Sequence, residues 1–367
     1  MIAKVNEFQH KQAISQFILE KYGDERIPFT AGFELTANCN YRCIHCYASP
    51  NREKEKLSNY QIKRILDTLV EHGTIEIFFT GGECLTRSDF KDIYIYAKKK
   101  GLLVTILTNA SLITEEMAHL FLEYPVEEIS LTMYGYTKET YEAITRSEGS
   151  FEKFHQALDI IKKYQLPCQF KVIGMKQNIH ECYEMIQYGH SLGFPVTYSF
   201  DIRPMVNLDS SPLELRVTPE EAFWFDQNDP ERYAFWKEVA KNIHRPKDEI
   251  DQRIEDHYLY PCMMGKNFVF INCEGKMQGC VKHSLEQYDL LYGNFEEGWA
   301  YLGEIRDRKA SPQFVCNHCD ASDYCEQCTV NHQLEHGEAE KPVDFYCHVG
   351  HLRKEMIDQM RMEMNLE

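Results

Sequence analysis

Residues 33–48 read FELTANCNYRCIHCYA, and the rest of the chain is best understood from this stretch outward. Phe33–Thr36 has the composition of a short strand. Directly after it, Cys39, Cys43 and Cys46 follow the spacing C-x3-C-x2-C, which puts three thiolates on one loop. Protein [4Fe–4S] clusters usually take four cysteine ligands. A local run of three leaves one iron able to bind a small molecule, as in open catalytic metal sites rather than closed structural ones. Three close cysteines also fit a partial zinc site or a set of buried thiols.

The surrounding sequence alternates strand-like and helix-like segments. Strands are expected at Phe33–Thr36, Ile75–Thr80, Val104–Asn109, Glu128–Thr132, Gln169–Gly174 and Val196–Ile202, all rich in Ile, Val, Phe, Tyr and Thr. Amphipathic helices are expected at Asn59–Glu71, Asp89–Lys100, Phe151–Tyr164 and Ile179–Leu192. In the first of these Ile62, Ile65, Leu66 and Leu69 share a face, with Ser58 as the cap and Gly73 as the stop. Repeated β-α units call for a parallel sheet with helices outside, either doubly wound or an incomplete barrel. Both bind ligands at the C-terminal ends of the strands, which is where the cysteine loop falls.

Composition sets limits on function. The chain has 367 residues, 43% of them hydrophobic, enough for one large domain and a smaller one. A net charge of −17 suits sequence-independent nucleic-acid binding poorly, because that needs Lys and Arg to neutralise phosphates. The start, MIAKVNEFQHKQAISQF, has no apolar signal core, and no run reaches the length of a spanning helix. Fourteen cysteines in such a chain point to a reducing cytoplasm and to metal rather than disulfides, with no membrane partner. Eight of them lie from Cys262 onward, and this shift marks a second domain. Between the two, residues 204–260 read as a bridge whose aromatics either touch substrate or pack against the barrel. In the tail, Met356, Met360 and Met364 at i, i+4 spacing read as packing.

CNYRCIHC together with FFTGGEC resembles the radical S-adenosylmethionine (SAM) enzymes. Gly81, Gly82 and Glu83 match that family's GGE motif, one β-α unit after the cysteine loop. The two glycines let backbone approach a ligand closely. The resemblance implies that Cys39, Cys43 and Cys46 hold a [4Fe–4S] cluster whose open iron binds SAM, and that Glu83 accepts a bond from the methionine ammonium. It further implies that Asn109, with Thr108 beside it, meets the ribose, that Ser130 or Thr132 meets the cofactor, with Thr132 favoured, and that His45 lies near the adenine. Arg146 resembles the arginine that pairs with the cofactor carboxylate, a geometry suited to a guanidinium fork; a surface ion pair is the plain alternative.

Cys262-x12-Gly275-x4-Cys280, then Cys316-x2-Cys319-x5-Cys325-x2-Cys328, then Cys347, resembles the SPASM domain, which carries auxiliary iron–sulfur clusters. The last spacing of the central run departs from the usual three residues. By this resemblance Cys316, Cys319, Cys325 and Cys347 hold one cluster, and Cys262, Cys280 and Cys328 hold the other. Cys273 is the nearest candidate for a fourth ligand there. Zinc knuckles are the competing reading of the two C-x2-C pairs. Cys84, Cys168 and Cys182 read as structural.

The expected architecture is α/β: an N-terminal extension over 1–32, a partial (β/α)6 barrel over 33–203, a bridge over 204–260, a cysteine-rich iron–sulfur domain over 261–350 and a C-terminal helix over 351–367. The expected activity is reductive cleavage of SAM to a 5′-deoxyadenosyl radical that takes hydrogen from a peptide or protein substrate. The outcome would be a thioether or carbon–carbon crosslink, backbone excision, or Cys/Ser oxidation. A reductant such as flavodoxin or ferredoxin is implied. The short segment before the first strand suggests that a separate protein binds any leader peptide, or that substrate docks elsewhere. Haem or small-molecule cofactor biosynthesis is the alternative enzyme role, and a zinc-stabilised binding module the alternative from another class. No acid or base stands out; Asp201, Arg203, Tyr134 and Tyr136 lie at strand ends where the rim is expected.

Overall fold

The computed structural model describes residues 25–48, 57–242 and 249–366. Most of the expected N-terminal extension and a short piece of the bridge lie outside these residues. Six parallel strands form in chain order: β1 (Thr30–Thr36), β2 (Glu76–Gly81), β3 (Leu103–Thr108), β4 (Glu128–Met133), β5 (Cys168–Ile173) and β6 (Val196–Ser199). Helices connect them: α1 (Asn59–Glu71), α2 (Phe90–Lys99), α3 (Glu115–Glu123), α4 (Lys138–Thr145), α5 (Ser150–Lys163) and α6 (Cys182–Ser191). The fold is a parallel-stranded partial barrel with helices on its outer face. Helix α1 begins where the sequence places it, with a full capping box between Ser58 and Gln61. The sixth strand stops at Ser199, earlier than expected, and α3 and α4 add helices that the sequence reading did not name.

One strand face is apolar and packs on the helices through Phe33, Leu35, Phe79, Ile106, Leu131, Phe170 and Val172. The alternate residues form the barrel lining. Register places Glu34 beside Thr80, Ser130 beside Gln169, and Thr132 beside Lys171.

The C-terminal region joins the same sheet. Strand β7 (Phe268–Ile271) pairs in parallel with β1, and β8 (Lys276–Gln278) and β9 (Tyr288–Asp289) extend it antiparallel, giving the order β6-β5-β4-β3-β2-β1-β7-β8-β9. The β1 edge, which would otherwise present unpaired backbone groups, is thereby covered. Helix α10 (Phe295–Arg306) follows, then α11 (Thr329–His336) and a long α12 (Asp344–Glu363). The tail helix thus begins already at Asp344 and carries Cys347 in its first turn.

Within the bridge are α7 (Pro219–Asn228), α8 (Pro230–Lys241) and α9 (Glu249–Glu255). Phe223 and Trp236 pack with Met356, Ile357 and Met360 of α12, so these bridge aromatics serve the C-terminal helix rather than the barrel. The buried Asp226 carboxylate fixes this contact, accepting from Arg353 Nε at 2.6 Å, Arg232 Nη2 at 2.6 Å and Trp236 Nε1 at 3.0 Å. A buried charge is tolerable only when paired in this way.

Candidate active site

The cysteine loop leaves the C-terminal end of β1 and is held on two sides. Arg42 N donates to Thr145 O and Ile44 N to Ile144 O, both at 3.0 Å, tying the loop to the end of α4. On the other side, Gly82 N donates to Thr36 O at 2.9 Å and Glu83 N to Asn38 O at 2.7 Å. A Cβ on Gly82 would stand 2.2 Å from Asn38 O, so only glycine permits this approach of β2 to the loop. Cys39, Cys43 and Cys46 are all part-buried. The Tyr134 hydroxyl senses all three: burial first, and then thiolate charge, push its pKa far up.

Glu83 is buried beneath this loop. Its carboxylate accepts from Thr108 Oγ1 at 2.9 Å, Asn109 N at 2.7 Å and Leu85 N at 3.1 Å, and burial raises its pKa despite these bonds. Glu83 therefore ties the end of β2 to the end of β3. Asn109 carries the tie onward, donating to Asn40 Oδ1 at 2.9 Å within the cysteine loop.

Ser130 is buried on the lining of β4, and its Oγ has no hydrogen-bond partner, an arrangement that calls for a ligand or solvent partner. Thr132 is part-buried two residues on. The His45 ring lies 5.2 Å from that of Tyr134, tilted by 44°, and burial followed by the Arg203 charge lowers its pKa to about 4. Arg146 caps α4 in the left-handed region and is exposed. Its backbone lies beside the cysteine loop through Thr145, while its side chain stays at the surface. Cys84, Cys168 and Cys182 are buried thiols.

The C-terminal cysteines fall into two sets in space. Burial and then the charges of Cys347, Cys325 and Cys319 push Cys316 up to about 12, and Cys325 also rises to about 12 by burial and Cys347. In the second set, burial, Cys328 and Cys262 push Cys280 up to about 11, and Cys262 rises through burial and Cys328. Cys273 is buried at the end of β7, where its N–H donates to Glu34 Oε2 at 3.2 Å. Groups of thiols that penalise one another's charge suit a cationic centre, which binds the deprotonated form; Cys262 is exposed and the other six of the two sets are part-buried. Among the described residues no three His, Cys, Asp or Glu side chains converge as ligands of one ion. A four-iron cluster asks for a different arrangement, with its sulfurs spread around the cluster, one to each iron.

Asp201 joins these groups. It accepts from Arg203 Nη1 and Lys282 Nζ, both at 3.0 Å, from Asn331 Nδ2 at 3.3 Å and from the Tyr346 hydroxyl. Burial works against its charge, but Lys282, Arg203 and Tyr346 hold its pKa well below the usual carboxylate range. Arg203 also covers the Tyr47 ring at 4.6 Å, next to Cys46. The expected Asp201–Arg203 pair is present, and it extends to the residues beside Cys280 and Cys347.

Lys171 escaped the sequence reading. It sits on the lining of β5 in register with Thr132, and burial lowers its pKa while Glu128 opposes the shift. The signal was the alternation in CQFKVI: a barrel strand is covered on both faces, so a lysine between Phe170 and Val172 faces inward.

Residues 33–189 match the Radical SAM superfamily. The chain carries a radical SAM domain. It is 24% identical over 323 residues to the AdoMet-dependent heme synthase of Methanosarcina barkeri, covering 82% of this chain and 90% of that protein. It is 23% identical over 300 residues to the PqqA peptide cyclase of Bradyrhizobium diazoefficiens, covering 75% of this chain and 73% of that protein. Among solved structures, SAM-bound SuiB of Streptococcus suis superposes with a TM-score of 0.67 at 13% identity, over 90% of this chain and 80% of SuiB. The chain shares a fold with SuiB, and the radical SAM domain over residues 33–189 takes a [4Fe–4S] cluster and SAM as its cofactors. No helix among the described residues is long and apolar enough to cross a membrane.

Proposed function

We propose that Cys39, Cys43 and Cys46 hold the SAM-binding [4Fe–4S] cluster and that the two C-terminal cysteine sets carry auxiliary clusters, for the oxidative modification of a peptide or protein. The observation that carries this reading is the Asp201 bridge, which gathers Arg203 beside the cysteine loop, Lys282 beside Cys280 and Tyr346 beside Cys347. When bound, cluster and cofactor supply one-electron cleavage of the sulfonium and removal of a substrate hydrogen atom. The residues of the chain bind and orient. Gly81 and Gly82 bring backbone close to the cofactor, and Asn109, Ser130 and Thr132 offer polar contacts along the strand ends. Glu83 fixes the β3 end that presents Asn109. Thr132 and Lys171 face the substrate, with the ammonium of Lys171 pairing with a substrate carboxylate. His45 and Arg146 remain proposed for the adenine and for the cofactor carboxylate; the latter requires the exposed Arg146 side chain to turn inward.

A peptide is supported by Lys171, whose one cation on the lining suits one substrate carboxylate; Glu34 shares that inward face, whereas Glu76 and Glu128 open β2 and β4 at the end of the barrel away from the cysteine loop. The similarity to PqqA peptide cyclase points the same way. A second reading, a tetrapyrrole substrate, is favoured by the coverage of the heme synthase match. Anaerobically reconstituted enzyme with SAM, reductant and either a peptide encoded beside its gene or an iron porphyrin separates them. A peptide mass change with 5′-deoxyadenosine release supports the first. Porphyrin conversion with unchanged peptides overturns it in favour of the second.

A further inference from the structure

We propose that the substrate peptide binds as a short added strand on the free edge of β6, held by the backbone N–H and C=O of Tyr198, with alternate side chains turned into the barrel beside Lys171. The inference rests on the peptide reading above and names how that peptide is held. Strand β6 ends the sheet, and its register with β5 fixes which backbone groups are left for a partner. Pro195 O accepts from Phe170 N and Ser199 O from Gly174 N, both at 2.9 Å. Residues that bond one neighbour in a parallel ladder alternate with residues that face away from it. Pro195, Thr197 and Ser199 therefore serve β5, while Val196 and Tyr198 turn their peptide groups outward. Phe200 O is taken by Ile202 N at 2.9 Å, which closes the edge there. Exposed edges are commonly blunted by charge or proline, and Val196–Ser199 holds neither.

A cleft of about 420 Å³ lies at this edge, lined by Tyr198, Ser199 and Phe200, by Val349 and Arg353 of α12 and by Arg232 of α8. The charges around it are already paired. Arg353 and Arg232 both bond Asp226 at 2.6 Å, Glu326 stands 3.1 Å from Arg353, and Asp201 holds Arg203 and Lys282 at 3.0 Å. Little charge is left for an ionic ligand, so the groups on offer are those of the backbone. Strand addition uses such an edge: main-chain bonds give affinity and alternate side chains give specificity. Here the alternation leads to the site. Thr197 and Ser199 are exposed and stand in register with Lys171 and Ile173 on the lining face. A strand added beyond β6 continues that lining, so every second side chain of the peptide enters the barrel. A tetrapyrrole has no repeat of N–H and C=O groups to match the edge.

The test uses reconstituted full-length enzyme with SAM, reductant and the peptide encoded beside its gene, synthesised as a series in which one amide at a time becomes an ester. Each ester removes a single N–H donor. Loss of the bond to Tyr198 O should raise KM about tenfold at one position, with both adjacent positions near the parent value and any second sensitive position two residues away. Tyr198→Pro deletes the donor on the enzyme side, a change that an edge strand tolerates where its N–H faces outward. Against Tyr198→Ala, which keeps that N–H, its KM should be about tenfold higher. Melting and iron content show whether Tyr198→Pro folds; where it does not, the ester series decides alone. Modification with a KM insensitive to every ester, or sensitive at adjacent positions, overturns strand addition and leaves the peptide reading standing. Peptide left unchanged while an iron porphyrin is converted overturns both.

Discussion

At the scale of single residues, the site is built from close backbone approaches and a few buried polar groups. Gly82→Ala drives a Cβ into the Asn38 carbonyl, a backbone atom that cannot move aside alone. The expected cost is about 1–3 kcal/mol, with reduced iron incorporation by the cysteine loop, measured by thermal melting and by iron analysis after reconstitution. Lys171→Met removes the cation proposed to pair with a substrate carboxylate. Losing a charge-assisted bond of about 1.5–3 kcal/mol should lower kcat/KM for substrate roughly ten- to hundredfold, while uncoupled SAM cleavage stays near the parent rate. Equal losses in both assays would instead place Lys171 at the cofactor. The proposed partition of Cys316, Cys319, Cys325 and Cys347 from Cys262, Cys280 and Cys328 comes from the resemblance to the SPASM domain, which cysteine spacing carries even where the backbone between is irregular. Lys171 was not named, because the alternation of CQFKVI puts it inside only once its strand is placed in a barrel covered on both faces. The several protein bonds to Glu83 were equally hidden, since they depend on where β3 ends.

At the scale of elements, the strands of the barrel were readable from β-branched composition, and α1 from its apolar face and its capping box. Ser58→Ala removes the Ser58 Oγ that accepts from Gln61 N while leaving the backbone bond from residue 58 to Gln61 Oε1, and should cost about 1 kcal/mol, read as a lower melting temperature with SAM cleavage retained. Helix α4 was missed because its eight residues carry only a short apolar stripe, though Thr137 caps it. Strand β7 was missed for a different reason. FVFI is a four-residue apolar run that periodicity alone cannot tell from a buried helix segment, and its pairing with β1 joins residues far apart in the chain.

At the scale of the whole molecule, Asp201 ties the barrel rim to the C-terminal region. Asp201→Asn leaves Lys282 and Arg203 without their shared carboxylate and should destabilise the fold by about 1.5–3 kcal/mol. The Asp201 pKa is depressed in the folded state, so its contribution is complete above the ordinary carboxylate value of about 4 and fades as pH falls through the depressed value. The stability gap between parent and Asp201→Asn, followed by denaturant melts, should therefore narrow on acidification; a gap that widens contradicts the assignment. The central claim is that Cys39, Cys43 and Cys46 together hold the cluster at which SAM is cleaved. Its most direct test is anaerobic turnover of reconstituted parent and of the triple alanine variant with SAM and dithionite, followed by quantification of 5′-deoxyadenosine. The account predicts product from the parent and none above background from the variant, with C-terminal iron retained. Product formed by the variant at the parent's rate would contradict it.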